Sequence, residues 1–320
     1  MLDIFYKLCD LSSVIMSRPL ARYIWMDGEL ISWNEAKVHV LTHALHYGTG
    51  VFEGIRAYPS GNKGLMVFRL QDHMERMIRS GRVYHLNVKY SVKELCNIVT
   101  EVLRKNEIRE SAYIRPLIFV GEGGFGLNYK NHPIRLAIAA FPLQAYFEKD
   151  GVRVCISSWR RISENSLPPS VKATGNYLNS AVAKMEAQNN GYDEAILLDR
   201  NGYVSEGTGE NIFLVKKGIL ITPSISSSIL EGVTRDTIIT LARDSGIEVK
   251  ESSVSRLDLY NCDEAFLTGT AAEVTPILGV DNIQIGKGAV GKVTSSLKKS
   301  FMNAVNGEEK RYSNWLTSVY

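Results

Sequence analysis

Three dipeptides constrain this chain most: Asp27-Gly28, Asn201-Gly202 and Lys217-Gly218, each set between short apolar runs. A glycine in a two-residue loop accepts the positive φ that a hairpin turn demands. Each dipeptide therefore folds its flanks into an antiparallel pair: residues 23–33, then 194–199 with 203–206, then 211–215 with 219–222. Further strand-like runs fall at 51–58, 66–70, 112–120, 133–141, 151–159 and 265–268. Helical periodicity interrupts them from about Gln71 and over 91–106, 177–188, 233–243 and 293–305. In 91–106, Ser91 and Glu94 form a capping box. Val92, Leu95, Cys96, Val99, Val102 and Leu103 make its apolar face. In 177–188 the apolar face is Leu178, Ala181, Val182 and Met185. The fold class is therefore mixed, α/β (α+β).

A chain of 320 residues is long enough for two domains. The pattern breaks over 142–150, which reads as a linker between a small domain at 21–141 and a larger one at 151–320. Residues 1–20 are a mildly apolar extension. Asp3, Lys7 and Asp10 interrupt it, unlike the basic start and unbroken apolar core of a secretory signal. The net charge of +3 is spread without a basic block, which gives nucleic acid nothing to hold. No apolar run approaches a membrane span. Cys9, Cys96, Cys155 and Cys262 lie far apart and form no CxxC pair, so neither a zinc site nor a disulfide framework is expected. A cytoplasmic location follows.

Several residues could carry chemistry. Lys172 sits on a small-residue approach, Lys-Ala-Thr-Gly, and offers an amine nucleophile. Glu206, delivered by the second hairpin beside Gly207, offers a rigidly placed carboxylate. Arg115 interrupts the apolar run AYIRPLIFV, where a charge is costly unless it meets a partner or a cavity. Arg76, midway along its helix, reads by itself as an exposed charge. The helix beginning at Val233 and Thr234 presents free N–H groups and a positive dipole end, suited to a phosphate. Gly269-Thr270-Ala271-Ala272 can form a small anion-binding nest. His39, His43 and His46 have spacings that could ligate a metal on a helix. No carboxylate or thiolate lies nearby to complete a set, so they read as histidines with backbone partners, and no metal is expected. The run Gly121 to Gly126 matches GxGxxG behind a strand. LNYKNHP follows it rather than a helix start, so it reads as a loop.

The stretch from Val171 to Glu210, together with EGIRAY at Glu53 and YIRPL at Tyr113, resembles the branched-chain aminotransferases among the fold-type IV pyridoxal-phosphate enzymes. The resemblance runs from about Tyr23 to about Asn306. It implies two domains, a small α/β one and a larger one with a β-barrel-like core, and pyridoxal 5′-phosphate held between them. It implies that Lys172 bonds the cofactor through its amine and then shuttles a proton. Glu206 would face the ring nitrogen and Tyr177 the ring's 3′-oxygen. Arg76, Leu230, Val233, Thr234 and Thr270 would complete the cofactor site. Substrate would meet Tyr47, Phe52, Tyr113, Arg115, Tyr146, Gly209, Thr270 and Ala271, with Arg115 receiving the side-chain carboxylate of glutamate or 2-oxoglutarate. The implied reaction moves the amino group of L-leucine, L-isoleucine or L-valine to 2-oxoglutarate, in a homodimer or larger homo-oligomer, with no nucleic acid or membrane partner. Leu143 and Gln144 depart from the family's linker, where many bacterial relatives carry tryptophan. Alternatives on the same fold are a D-amino-acid aminotransferase and an aminodeoxychorismate lyase. A more remote one is a nicotinamide-dependent oxidoreductase using the glycine loop, and a last one a relative that binds without catalysis.

Overall fold

The computed structural model describes residues 21–61, 64–143 and 150–320; Tyr146 and the 1–20 extension fall outside them. The first half runs β1 (Tyr23–Met26), β2 (Glu29–Ser32), α1 (His43–Tyr47), β3 (Gly50–Phe52), β4 (Ile55–Pro59), β5 (Leu65–Phe68), α2 (Leu70–Val83), α3 (Val92–Lys105), β6 (Ala112–Val120) and β7 (Ile134–Pro142). The second half runs β8 (Val152–Arg160), α4 (Tyr177–Asn189), β9 (Glu194–Leu198), β10 (Val204–Gly207), β11 (Asn211–Lys216), β12 (Ile219–Pro223), α5 (Val233–Asp244) and β13 (Val249–Ser252). It closes with α6 (Arg256–Tyr260), β14 (Glu264–Gly269), β15 (Glu273–Val280), β16 (Ile283–Gln284), α7 (Lys292–Val305) and β17 (Leu316–Ser318).

The three expected hairpins are present. Asp27 and Gly28 (φ 53° and 117°), and Lys217 and Gly218 (φ 52° and 79°), take the left-handed backbone that such turns need. Among the described residues, β1–β7 and β17 form one sheet, in the order β17-β5-β4-β6-β7-β1-β2 with β3 on β6. Its pairs are antiparallel. The second sheet, β10-β9-β8-β15-β14-β11-β12-β13 with β16 on β15, is mixed, and one of the two sheets curls into a half-barrel. In the mixed sheet, helix α4 bridges the parallel pair β8–β9, and helix α5 the parallel pair β12–β13, as parallel strands require a crossover.

Helices α2 and α3 cover the first sheet. Met74, Met77, Leu95, Val99, Val102 and Leu103 pack on Ile55, Ile114 and Ile118. The Ser91–Glu94 capping box is formed as expected. A second core joins the sheets, since Tyr58 and Phe68 of the first lie with Phe213, Phe266, Ile238 and Phe301 of the second half.

Three expectations need correction. The run 51–58 is two strands, because the chain breaks pairing at Glu53-Gly54 between β3 and β4. The segment around Tyr47, which lies outside the expected helices and strands, is the short helix α1. On α4 the buried residues are Ser180, Ala183 and Ala187, and the apolar face faces outward, with Leu178 71% and Met185 54% exposed. Small residues win the inward face because α4 lies close on β8 and β9, against Cys155, Ala195 and Leu197.

Candidate active site

Lys172 is pinned at the edge of β3. Its carbonyl accepts from the Phe52 amide (3.0 Å), and the Thr174 amide donates to the Gly50 carbonyl (2.9 Å). The approach is close enough that a Cβ on Gly48 (φ 64°) would stand 2.8 Å from the Gly175 Cα. That is why small residues follow the lysine. Lys172 Nζ donates to the Tyr177 hydroxyl at 2.7 Å. It also stands 5.0 Å from the centre of the Phe52 ring and 5.1 Å from that of Tyr177. The amine is thus held by aromatic faces and one hydroxyl.

Arg115 continues this wall. Its guanidinium lies 4.9 Å from the Phe52 ring centre, and Nη2 donates to the Tyr113 hydroxyl at 3.0 Å. The sequence places Arg115 in a buried strand, but the structure exposes it. Strand β6 alternates, with Ala112, Ile114, Pro116 and Ile118 inward and Tyr113 and Arg115 on the open face, so the charge needs no buried partner. Gly54 is required beside it, since a Cβ there would lie 2.0 Å from the Tyr113 hydroxyl.

Glu206 is buried on β10. Its Oε2 accepts from Asn211 Nδ2 (3.0 Å) and the Leu230 amide (3.0 Å). Its Oε1 lies 2.9 Å from Arg161 Nε, an ion pair whose alignment falls outside hydrogen-bond geometry. Burial pushes the carboxyl above its ordinary range, and Arg161, the Leu230 amide and Lys172 offset only part of that rise. A buried carboxyl short of positive charge is a fitting partner for a protonated ring nitrogen. Asn211 Nδ2 also donates to the Leu230 carbonyl (2.9 Å), and a Cβ on Gly232 would sit 2.0 Å from Asn211 Oδ1. Gly232 is therefore a steric requirement where α5 begins.

Arg76 is buried, not the exposed charge its sequence context suggests. Nε and Nη2 donate to the two oxygens of Glu53 (2.7 and 2.8 Å), and Nη1 donates to the Glu231 carbonyl (2.8 Å). A guanidinium has five N–H donors, so two remain after these bonds. Glu231 precedes Gly232, the N-cap of α5, which has no side-chain capping bond. The first amides of α5 therefore stay open to an anion.

Gly209, expected at the substrate, donates its amide to Glu210 Oε2 at 3.1 Å. The Gly209 carbonyl would lie 3.4 Å from a Cβ on Gly269, which leads into Thr270 and Ala271. Tyr47 packs on the His43 ring at 4.5 Å. The His43 ring is bonded to Thr49 Oγ1 (2.7 Å) and the Gly126 carbonyl (3.0 Å), and His46 Nε2 to the Val40 carbonyl (2.9 Å).

Sequence reasoning missed Glu53, Arg161, Asn211 and Glu210. Only the pair Arg160-Arg161 at the end of an apolar strand gave a signal. Glu210 is buried against Gly207 and Gly269. Burial, and then the neighbouring Glu194, push its carboxyl up to about 8. The folded chain therefore keeps that proton where an unfolded carboxyl, near 4.5, has lost it, and stability falls as pH rises between those values. Glu210→Gln keeps an oxygen for Gly209 and cannot ionise. Its stability relative to the parent should grow as pH rises from 5 to 8, read from denaturant midpoints; an unchanging difference would show Glu210 ionised in the fold.

A model of class IV amino-transferases matches residues 50–280. The chain belongs to the class IV aminotransferase family. The branched-chain-amino-acid aminotransferase of Escherichia coli K12 is 48% identical over 309 residues, covering 95% of this chain and 99% of that one. The crystal structure of the branched-chain aminotransferase of Thermoproteus uzoniensis with norvaline superposes with a TM-score of 0.91 at 46% identity, over 94% of this chain and all of that one. The branched-chain amino acid aminotransferase of Thermobaculum terrenum in its PLP-form does so with 0.90 at 41% identity, over 95% of this chain and 100% of that one. As a class IV aminotransferase the chain is a pyridoxal-phosphate-dependent transaminase. The nicotinamide alternative is set aside: the glycine run at Gly121 to Gly126 leads to strand β7, with no helix to meet a pyrophosphate.

Proposed function

We propose that this transaminase moves the amino group of L-leucine, L-isoleucine or L-valine to 2-oxoglutarate, giving a branched 2-oxo acid and L-glutamate. The observation that carries this reading is the continuous wall of Lys172, Tyr177, Phe52, Arg115 and Tyr113, which joins an amine, apolar ring faces and one exposed cation. An aliphatic side chain needs the ring faces, and a dicarboxylate needs the cation.

The residues present fit pyridoxal phosphate. The two remaining donors of Arg76 and the open amides of Val233 and Thr234, with Thr270, would hold its phosphate; Leu230 and Glu206 would flank the ring nitrogen, and Tyr177 the 3′-oxygen. When bound, the cofactor supplies an aldehyde for amines and an electron-withdrawing ring that lets a Cα proton leave. Lys172 Nζ takes that proton and returns it, acting as general base and then general acid. Tyr177 steadies the amine by accepting its hydrogen bond. Glu206, with Arg161 behind it, keeps a proton on the ring nitrogen. Tyr113 and the Thr270–Ala271 turn orient the α-carboxylate, with Gly209 and Tyr47 at the pocket's edge.

The visible spectrum tests this. The yellow protein should bleach with L-leucine and recover with 2-oxoglutarate. No response to L-leucine, or a response only to a D-amino acid, would overturn the substrate reading. Arg115→Ala should cut kcat/KM for 2-oxoglutarate by about 10- to 100-fold and that for leucine far less; equal losses would remove its dual-recognition role.

The homodimer reading is supported by apolar residues exposed beside the site. Val40 and Leu45 of the α1 segment, and Phe125 (86%) and Leu127 (76%) of the glycine loop that bonds His43, stand in solvent. No helix among the described residues is long and apolar enough to cross a membrane, which suits the cytoplasmic reading. The passage from β7 to β8 over 142–150 is where we place the domain linker.

A further inference from the structure

Glu53 lies at the break between β3 and β4, is fully buried, and no step above uses it. We infer that Glu53 is a positioning residue for phosphate recognition: the placement of its two oxygens, rather than its charge, aims the open edge of Arg76 at the cofactor phosphate. The inference rests on the phosphate role proposed above for Arg76.

The geometry is a fork. Oε1 takes Arg76 Nε at 2.7 Å and Oε2 takes Nη2 at 2.8 Å, which fixes the guanidinium plane. Oε2 also accepts from His73 Nδ1 at 2.7 Å, and the Gly54 amide approaches it at 3.3 Å. The Glu53 backbone is tied in turn, its amide donating to the Pro116 carbonyl of β6 at 3.0 Å. His73 and Arg76 are one turn apart on α2, so both reach the same carboxylate. With its plane fixed on one side, Arg76 meets the Glu231 carbonyl through Nη1. One N–H on Nη1 and one on Nη2 then remain, next to the turn that enters α5.

Charge alone does not explain the arrangement. Against the upward push of burial, Arg76 and His73 hold Glu53 well below the usual carboxylate range. Burial also lowers His73, against the opposing pull of Glu53. Glu53 and Arg76 therefore cancel, and the arginine brings directed donors to the site rather than net charge. Glu53→Asp keeps the charge but draws the carboxylate back by one bond length, about 1.5 Å. Positioning predicts harm from that change, and a charge role predicts none.

The test is equilibrium binding to the cofactor-stripped full-length protein, followed by absorbance, with pyridoxal phosphate and with pyridoxal, which lacks the phosphate. Glu53→Asp should weaken pyridoxal phosphate about 10- to 100-fold and leave pyridoxal unchanged. Equal weakening of both ligands would mean general damage to the fold and overturn the inference, as would unchanged binding of pyridoxal phosphate. If Glu53→Asp does not fold, Glu53→Gln keeps the inference falsifiable: it loses one oxygen and the charge together, and unchanged binding of pyridoxal phosphate would overturn the inference. Arg76→Lys separates the two readings. If it binds both ligands as the parent does, the phosphate role of Arg76 fails. If it discriminates and the Glu53 variants do not, only the inference about Glu53 fails.

Discussion

Lys172→Ala protein should lose turnover of L-leucine by roughly 10⁴-fold or more, because it loses both the covalent anchor and the proton carrier. The fold should survive. The lysine side chain is half-buried, its described bond is to the Tyr177 hydroxyl, and the backbone bonds that pin residues 172–174 to β3 do not involve it. Single-turnover kinetics with leucine, alongside circular dichroism, check both halves. A folded variant retaining more than a small fraction of the rate would move the chemistry to another residue. Added methylamine is a useful second measurement, since a missing proton carrier can be replaced in part by a free amine, whereas a collapsed site cannot.

Arg161→Ala should be the more costly change to stability, by about 3–5 kcal/mol near pH 7. It leaves Glu206 buried with Asn211 and Leu230 but without its cation. The sign of the pH dependence follows. Removing Arg161 raises the folded pKa of Glu206 beyond the rise that burial already causes. The unfolded carboxyl titrates near about 4.3, so above that pH the unfolded chain releases a proton that the folded variant retains. The deficit should therefore be small at pH 4 and grow as pH rises. Denaturant unfolding at pH 4, 6 and 8 reads this directly. A deficit independent of pH would mean that Arg161 acts by packing rather than by charge. Turnover should fall as well, because a neutral Glu206 is a weaker partner for a ring N–H.

The fold class, the hairpins at Asp27-Gly28 and Lys217-Gly218, helix α3 with its cap, and helices α5 and α7 were legible because each depends on local chemistry. A positive φ, a capping box and a 3.6-residue period are written within a few neighbouring residues. Helix α4 misled because amphipathicity tells which face is apolar, not which face is covered. Its Ala183 and Ala187 are inward because β8 and β9 leave no room for Leu178 or Met185. Arg115 misled in the opposite direction, since an apolar run does not reveal which side of a sheet is open.

The sequence by itself determined the elements, the family likeness and the reactive groups Lys172 and Glu206, since amine and carboxylate are properties of single residues. Tertiary structure decided what makes them usable. Arg161 reaches Glu206 from 45 positions away, Asn211 joins Glu206 to the Leu230 turn, and Glu53 grips Arg76 across a strand break. The physical reason is that a buried charge is tolerated only with partners in three dimensions. Those partners come from whichever strand the sheet order places alongside, and no local period or motif encodes that order.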